Sequence, residues 1–318
     1  MSERRSKEIF MSGQNHSVLS VGNVSVDIKA FCGEELVPGA YRDGSIELVP
    51  GGVGRGMAIN LKHLGFSSAI CSVVGKDLFG DFLRTGLEKD KISTELLKTS
   101  NENKTALFSV MASSGQAARC VYSMRILQEI VFDDAVKAFL DAGKADVLCM
   151  DSNPPEETLA RFYKYVDEKP IFVFQNATAP DIARKSLPYA KRVDLFGCNE
   201  FEAAEILGEE AFPDPACAAK IASLGFRHFI ITFGDRGVMV YKDGEVWNQK
   251  PYNPSYIEDT VGAGDAFASG YLFGYVTGQP VKRCIQYGLA CAKETLHTRQ
   301  TVSEFLSPDF LESYPDFR

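Results

Sequence analysis

No two cysteines of this chain are spaced as Cys-x-x-Cys, and its four histidines, His16, His63, His228 and His297, are scattered. That pattern excludes a zinc ribbon, and a dense disulfide framework is not expected at this length. The thiols, at 32, 71, 120, 149, 198, 217, 284 and 291, are expected to be reduced. Cys71 and Cys149 fall inside apolar runs, where cysteine acts as a small hydrophobe. No basic run interrupts a net charge of -8, which argues against a partner with a nucleic-acid backbone. Small anions such as ATP stay open, because local backbone dipoles can hold them. No apolar run approaches the length of a membrane span. The opening, MSERRSKEIFMSGQNHS, lacks the apolar core of a signal peptide. Residues 1–16 are therefore expected to be a disordered tail, and the protein cytoplasmic.

Neither an internal repeat nor a low-complexity linker divides the chain. With 318 residues and 45% hydrophobic content, one α/β domain over 17–318 with a sizeable core fits best. Short β-branched or apolar runs predict strands at 18–26, 67–74, 145–150, 171–175, 193–197 and 228–233. Amphipathic stretches alternate with them. Residues 54–64 put Met57, Ala58, Leu61 and Leu64 on one face, and 79–89 group Phe79, Phe82, Leu83 and Leu87. A helix over 154–166 would start with Asn153 as N-cap. This alternation predicts a mainly parallel central sheet with helices on both faces. Residues 27–50 and 104–124 read as strands and turns without helices, a pattern expected of a small β lid over an active site. Residues 237–249 read as another hairpin, turning at Asp243-Gly244.

The segment richest in chemistry is DTVGAGDAFASGYLFGYV, residues 259–276. Gly262-Ala263-Gly264 makes a turn nearly free of side chains, and a helical pattern follows it. A glycine turn that opens a helix points free N–H groups at one spot, where the helix dipole adds positive potential. Such a hole suits a phosphoryl group in transfer. Asp265 sits in the first helical turn, placed to accept a proton from an attacking hydroxyl. The helix N-terminus is expected to keep Asp265 ionised and a weak base, which a loose phosphoryl-transfer transition state tolerates. No Gly-Lys-Ser/Thr ending follows, so this is not a Walker loop.

DTVGAGDAF resembles the C-terminal signature of the ribokinase-like (PfkB) carbohydrate kinases, and PGGVGRGMAINLKHLG, residues 50–65, resembles their N-terminal signature. The likeness runs from about Val18 to the C-terminus. It implies a ribokinase-like fold and transfer of the ATP γ-phosphate to a hydroxyl of a small sugar or nucleoside. Asn23, Asp27, Gly51 and Gly52 would hold substrate hydroxyls. Asn199 and Glu202, in CNEFE, match the family's Asn-x-x-Glu, with Glu202 holding Mg²⁺ through water. Thr232, Gly234 and Gly237 match its nucleotide loop. The resemblance also implies a K⁺ ion beside Asp259 and either a homodimer formed through the lid strands, with 104–124 at the contact, or a monomer with an exposed lid. Catalysis would rest on Asp265 and the backbone of Gly262, Ala263 and Gly264.

Within the family, PGGVGR, the HLG ending and ADVLCMDSNPPEETLARF (145–162) look most like the pseudouridine kinases, which phosphorylate the 5′-hydroxyl of a C-nucleoside. Ser123-Met124-Arg125-Ile126 falls where those enzymes carry a short methionine-containing lid segment. Gly56 stands where the family pattern has Asn, so one side-chain hydrogen bond to the sugar is either missing or supplied from elsewhere. Gln175 or Asn176, in place of a common Asp-Pro, would reach the phosphates or magnesium. The alternatives are a kinase for ribose, adenosine or fructose, and a catalytically silent nucleoside-binding relative. A dinucleotide oxidoreductase rests on GGVGRG alone, and that fingerprint wants Gly or Ala where Ile59 stands.

Overall fold

The computed structural model describes residues 16–39, 41–113 and 116–315. Its strands are β1 (Ser17–Val21), β2 (Ser25–Cys32), β3 (Ser45–Gly51), β4 (Ser67–Gly75), β5 (Ser93–Ser100), β6 (Ala106–Ser113), β7 (Gln116–Ser123), β8 (Val147–Met150), β9 (Phe172–Asn176), β10 (Leu195–Asn199), β11 (His228–Thr232), β12 (Val238–Lys242) and β13 (Glu245–Gln249). The helices are α1 (Val53–His63), α2 (Leu78–Lys89), α3 (Asp134–Asp141), α4 (Glu156–Val166), α5 (Pro180–Ala183), α6 (Glu200–Leu207), α7 (Pro215–Ser223), α8 (Ala263–Val276), α9 (Val281–Thr295) and α10 (Pro308–Glu312).

Nine strands form the central sheet, in the order β13-β12-β11-β10-β9-β8-β1-β4-β5. All neighbours from β11 to β5 run parallel, and β12 and β13 close one edge as an antiparallel hairpin. Parallel strands buried on both faces read as unbroken apolar runs, and the two-residue period then sorts their side chains. Leu19, Val21, Leu148, Met150 and Val173 point to the face covered by α3, α4, α6 and α7. Val18, Val147, Cys149, Phe172 and Phe174 point to the opposite face, covered by α1, α8 and α9. This is the ribokinase-like α/β fold, with helices on both sides of a mostly parallel sheet.

A second sheet of four strands, β3-β2-β6-β7, stands apart from the first. It comprises the helix-free segments read from the sequence. The run expected as one strand over 18–26 is two: the chain breaks at Gly22–Val24 and passes from the central sheet into the second. The 237–249 hairpin extends the central sheet and takes no part in the second one. Tyr122 of β7 donates to Asp181 of α5 at 2.9 Å, tying the second sheet to the main body.

Other boundaries also shift. Helix α4 is capped by Pro155 with no side-chain bond, so Asn153 is not its N-cap. Phe82 is 45% exposed and falls off the buried face of α2, while Leu83 and Leu87 lie on it. The tail expected over 1–16 lies outside the described residues except for His16. That side chain is buried, and its Nδ1 pairs with Asp146 at 2.7 Å. Among the described residues, no helix is long and apolar enough to cross a membrane.

Candidate active site

Helix α8 begins where the loop from Asp259 turns sharply at Gly262. Gly262 has φ +89°, a conformation that L side chains rarely adopt, and a β-carbon there would lie 2.1 Å from the Thr301 carbonyl oxygen. Only glycine lets the loop pass so close to the 299–301 segment and still enter the helix. Ala263 N donates to Thr260 O at 3.4 Å, closing the turn. The amides of Gly264 and Asp265 have no acceptor within their own helix, as at any helix start. Both residues line a cavity of about 360 Å³, together with, among others, Asn199, Glu202, Thr232 and Gly262.

That cavity opens at the C-terminal ends of β9, β10 and β11, where parallel sheets offer their ligand sites. Asn199 ends β10 and caps α6. Its Oδ1 accepts from the amides of Phe201 and Glu202 at 2.9 Å each, and its Nδ2 donates to Glu202 Oε1 at 2.9 Å. Glu202 Oε2 accepts from Asn199 N at 2.8 Å, which completes a capping box. Burial nonetheless pushes the Glu202 carboxyl up to about 7. A desolvated carboxylate of this kind gains from a nearby cation. Among the described residues, no group of three His, Cys, Asp or Glu side chains could cage a metal ion. Glu202 and Asn199 are oxygen donors on the cavity wall of the kind that would meet Mg²⁺ carried on phosphates. Thr232 lines the cavity, while Gly234 and Gly237 lie in the turn beyond it.

Asp265 lines this cavity and feels the charge of Asp27 on the second sheet. Burial, and then the negative charges of Asp151, Glu202 and Asp27, push its carboxyl up to about 8. This direction runs against the expectation of an ionised, weakly basic Asp265. The helix start does favour the anion, but desolvation and three neighbouring carboxylates outweigh it.

On the far side of Asp265 stand the residues expected to meet the acceptor. Asp27 of β2 is buried, and a β-carbon at Gly51 of the paired strand would lie 2.2 Å from Asp27 Oδ1, so the carboxylate fills the space glycine leaves. Burial pushes Asp27 up to about 6, against the opposing pull of Lys29 and Arg55. Gly52 stands at the entry to α1. Asn23 donates from Nδ2 to Met124 Sδ at 3.5 Å, while its buried Oδ1 has no partner among the described residues. Gly56 faces the base, and a β-carbon there would lie 3.2 Å from Asp265 Oδ2.

Asp259 does not present a free carboxylate to solvent ions. Its Oδ1 accepts from the amides of Thr260 and Val261 at 2.7 and 3.1 Å, and its Oδ2 pairs with the ammonium of Lys29. Nor does Gln175 reach the cavity. It is fully buried, accepting from Tyr163 Oη at 2.8 Å and donating to Ser152 Oγ at 3.1 Å, whereas Asn176 lines the cavity wall.

Three contributors went unread in the sequence. Asp151 follows β8 and accepts from Asn23 N at 2.7 Å, fixing the bend between the sheets; burial pushes its own carboxyl up. A lone Asp at the end of an apolar strand was its signal. Thr178 lines the cavity at φ +77°, a rare conformation for a β-branched residue, held by Thr178 N donating to Asn176 Oδ1 at 2.8 Å. Lys29 is legible only as a charge on the Asp27 face of β2.

Residues 15–307 match the family model described as pfkB family carbohydrate kinase. The chain is 27% identical over 300 residues to pseudouridine kinase of Escherichia coli, covering 91% of this chain and 93% of that protein. It is 29% identical over 286 residues to cytidine kinase of Thermococcus kodakarensis, covering 87% and 94%. The structure of Arabidopsis thaliana ribokinase complexed with ribose and ATP superposes with a TM-score of 0.81 at 18% identity, covering 94% of this chain and 98% of that one.

Proposed function

The chain belongs to the pfkB family of carbohydrate kinases, a phosphotransferase family with hydroxyl acceptors, and we propose that this member phosphorylates the 5′-hydroxyl of pseudouridine with ATP. One observation carries the reading of the chemistry. Asp265 lines the cavity at the start of α8 and is near enough to buried Asp27 for that carboxylate to raise its proton affinity, and Asn23, with an unpartnered buried Oδ1, precedes the strand that carries Asp27. A nucleotide on one side and a hydroxylated substrate on the other would meet at the Asp265 carboxylate.

The nucleotide lies along Thr232 and the turn at Gly234 and Gly237, with its phosphates toward Gly262–Gly264. Asp27, Asn23 and the Gly51-Gly52 backbone hold the ribose hydroxyls. The acceptor oxygen bonds to the γ-phosphorus while the bond from phosphorus to the ADP oxygen breaks, and the hydroxyl proton passes to Asp265. Once ionised, a carboxylate whose proton affinity is raised by burial accepts that proton more readily than an ordinary aspartate. The amides of Gly264 and Asp265 stabilise the equatorial phosphoryl oxygens. Magnesium, when bound, supplies charge neutralisation on the phosphates; Glu202 and Asn199 would hold it through water. The second sheet acts as a lid that excludes water, limiting idle ATP hydrolysis. Its exposed Ile46, Leu48, Met111 and Val121 also suit pairing with a second copy.

The choice of pseudouridine rests on the PGGVGR and 145–162 resemblance and on Met124, which reaches Asn23 at the acceptor side. A panel of pseudouridine, cytidine, uridine, adenosine, ribose and fructose at fixed Mg-ATP tests it. Turnover confined to pseudouridine is expected. Robust turnover of cytidine or ribose without pseudouridine would discard the substrate and keep the chemistry.

A further inference from the structure

Lysine is among the residues least often buried, yet Lys29 is 1% exposed. It sits on β2 two residues after Asp27, so strand alternation puts both on one face. Its ammonium pairs with Asp259 Oδ2 and donates to the Arg299 carbonyl oxygen at 3.0 Å. Both acceptors belong to the frame of the glycine turn. Asp259 begins the loop, and its Oδ1 holds the amides of Thr260 and Val261, the two residues before Gly262. Arg299 opens the 299–301 segment, against whose Thr301 carbonyl Gly262 packs. Thr301 Oγ1 in turn donates to Pro50 O at 2.8 Å, and Arg55 Nη1 donates to the same carbonyl at 2.9 Å. One carboxylate oxygen and one carbonyl oxygen thus converge on a buried positive charge under the phosphate turn. Those are the hard oxygen donors that an alkali ion would also take.

We propose that Lys29 is a positioning residue whose tethered ammonium takes the place of a free monovalent cation beneath the Asp259–Gly262 turn, making phosphate binding and turnover independent of potassium. The proposal rests on the kinase reading of the site. It also gives the second sheet a direct part in setting the turn, because the strand that carries Asp27 toward the acceptor carries the cation that braces the phosphate side. Breaking a buried pair leaves an uncompensated charge, so loss of Lys29 is severe unless another cation enters the gap.

The test compares the full-length wild type with Lys29→Met and with Lys29→Met/Asp259→Asn. Each is held at about 0.1 M ionic strength in tetramethylammonium or potassium chloride, so that screening is equal. Mg-ATP affinity by calorimetry, ADP release and thermal unfolding are read together. The wild type is expected to change less than about twofold between the two salts in affinity and turnover. Lys29→Met is expected to lose about a hundredfold without potassium and to regain most of it with potassium, while the double variant regains nothing. Potassium should also raise the unfolding temperature of Lys29→Met selectively. Wild-type activation of tenfold or more by potassium would overturn the proposal, as would a potassium-free Lys29→Met indistinguishable from wild type. Should Lys29→Met fail to fold, the wild-type salt comparison decides alone. Should no protein bind Mg-ATP in either salt, the kinase reading fails, and potassium-selective stabilisation of Lys29→Met still decides the role of Lys29.

Discussion

Gly56 faces the carboxylate of Asp265 so closely that a β-carbon at position 56 would lie 3.2 Å from Oδ2. The missing side chain gives the base its room. Gly56→Ala should therefore crowd and further desolvate Asp265. A fall in kcat of about tenfold, worth about 1.4 kcal/mol, is expected with Mg-ATP affinity unchanged. The pH at which kcat/KM reaches half its plateau should rise. Steady-state kinetics with calorimetry check this, and unchanged kinetics would move Asp265 away from position 56.

The raised carboxylates predict how stability changes with pH. A carboxyl with a folded pKa above its unfolded value keeps its proton longer in the native state, so stability falls as pH rises between the two values. Asp265, pushed up to about 8, and Glu202, up to about 7, both titrate across neutrality. Buried His228, held down to about 3, acts in the opposite sense, but most of its effect falls below its ordinary value of 6.5. From pH 6.5 to 8.0 the ligand-free protein should lose a few degrees of thermal stability, on the scale of about 2–4 °C per kcal/mol for large domains. Asp265→Asn should flatten that slope. Denaturation scans on both proteins measure it, and equal slopes would contradict the raised value.

Gly262 and Gly264 should fail differently when substituted. A β-carbon at Gly264 meets nothing within 4 Å and would project into open space, so Gly264→Val should fold normally. It should weaken Mg-ATP binding by at least about tenfold, because its methyls stand where phosphate oxygens approach the amides. Gly262→Val combines a positive φ with a contact at 2.1 Å from Thr301 O and should be destabilised by more than about 1–3 kcal/mol. Calorimetry separates the first effect and chemical denaturation the second.

Gln175 and Asn176 are neighbours with opposite tasks. Gln175→Ala strips partners from Tyr163 and Ser152 and should cost about 1–3 kcal/mol of stability while leaving the KM for ATP unchanged. Asn176→Ala, on the cavity wall, should raise that KM. A reversed pattern would exchange their assignments.

These contrasts mark how far the chain could be read in advance. The parallel strands were legible because burial on both faces leaves continuous apolar runs. The α8 turn was legible because its glycines, its aspartate and its helix are contiguous. The break between β1 and β2 was not: Val21, Val24 and Val26 are all buried apolar residues, and Asp151, which fixes the bend, is distant in sequence. Lys29 and Asp259 pair across 230 residues, a contact no local pattern announces. The raised proton affinity of Asp265 was not legible for the same reason. Its helix is local, but the carboxylates that crowd it arrive from β2, α6 and the end of β8.

The most direct test of the account measures coupled ADP release from Mg-ATP with pseudouridine for the wild type and Asp265→Asn, alongside Mg-ATP binding to both. The account predicts wild-type turnover, a loss of about three orders of magnitude or more in the variant, and near-equal ATP affinity. Near-normal turnover by Asp265→Asn would remove this carboxylate from the chemistry. A wild type that binds Mg-ATP yet phosphorylates no acceptor in the panel would contradict the proposed reaction.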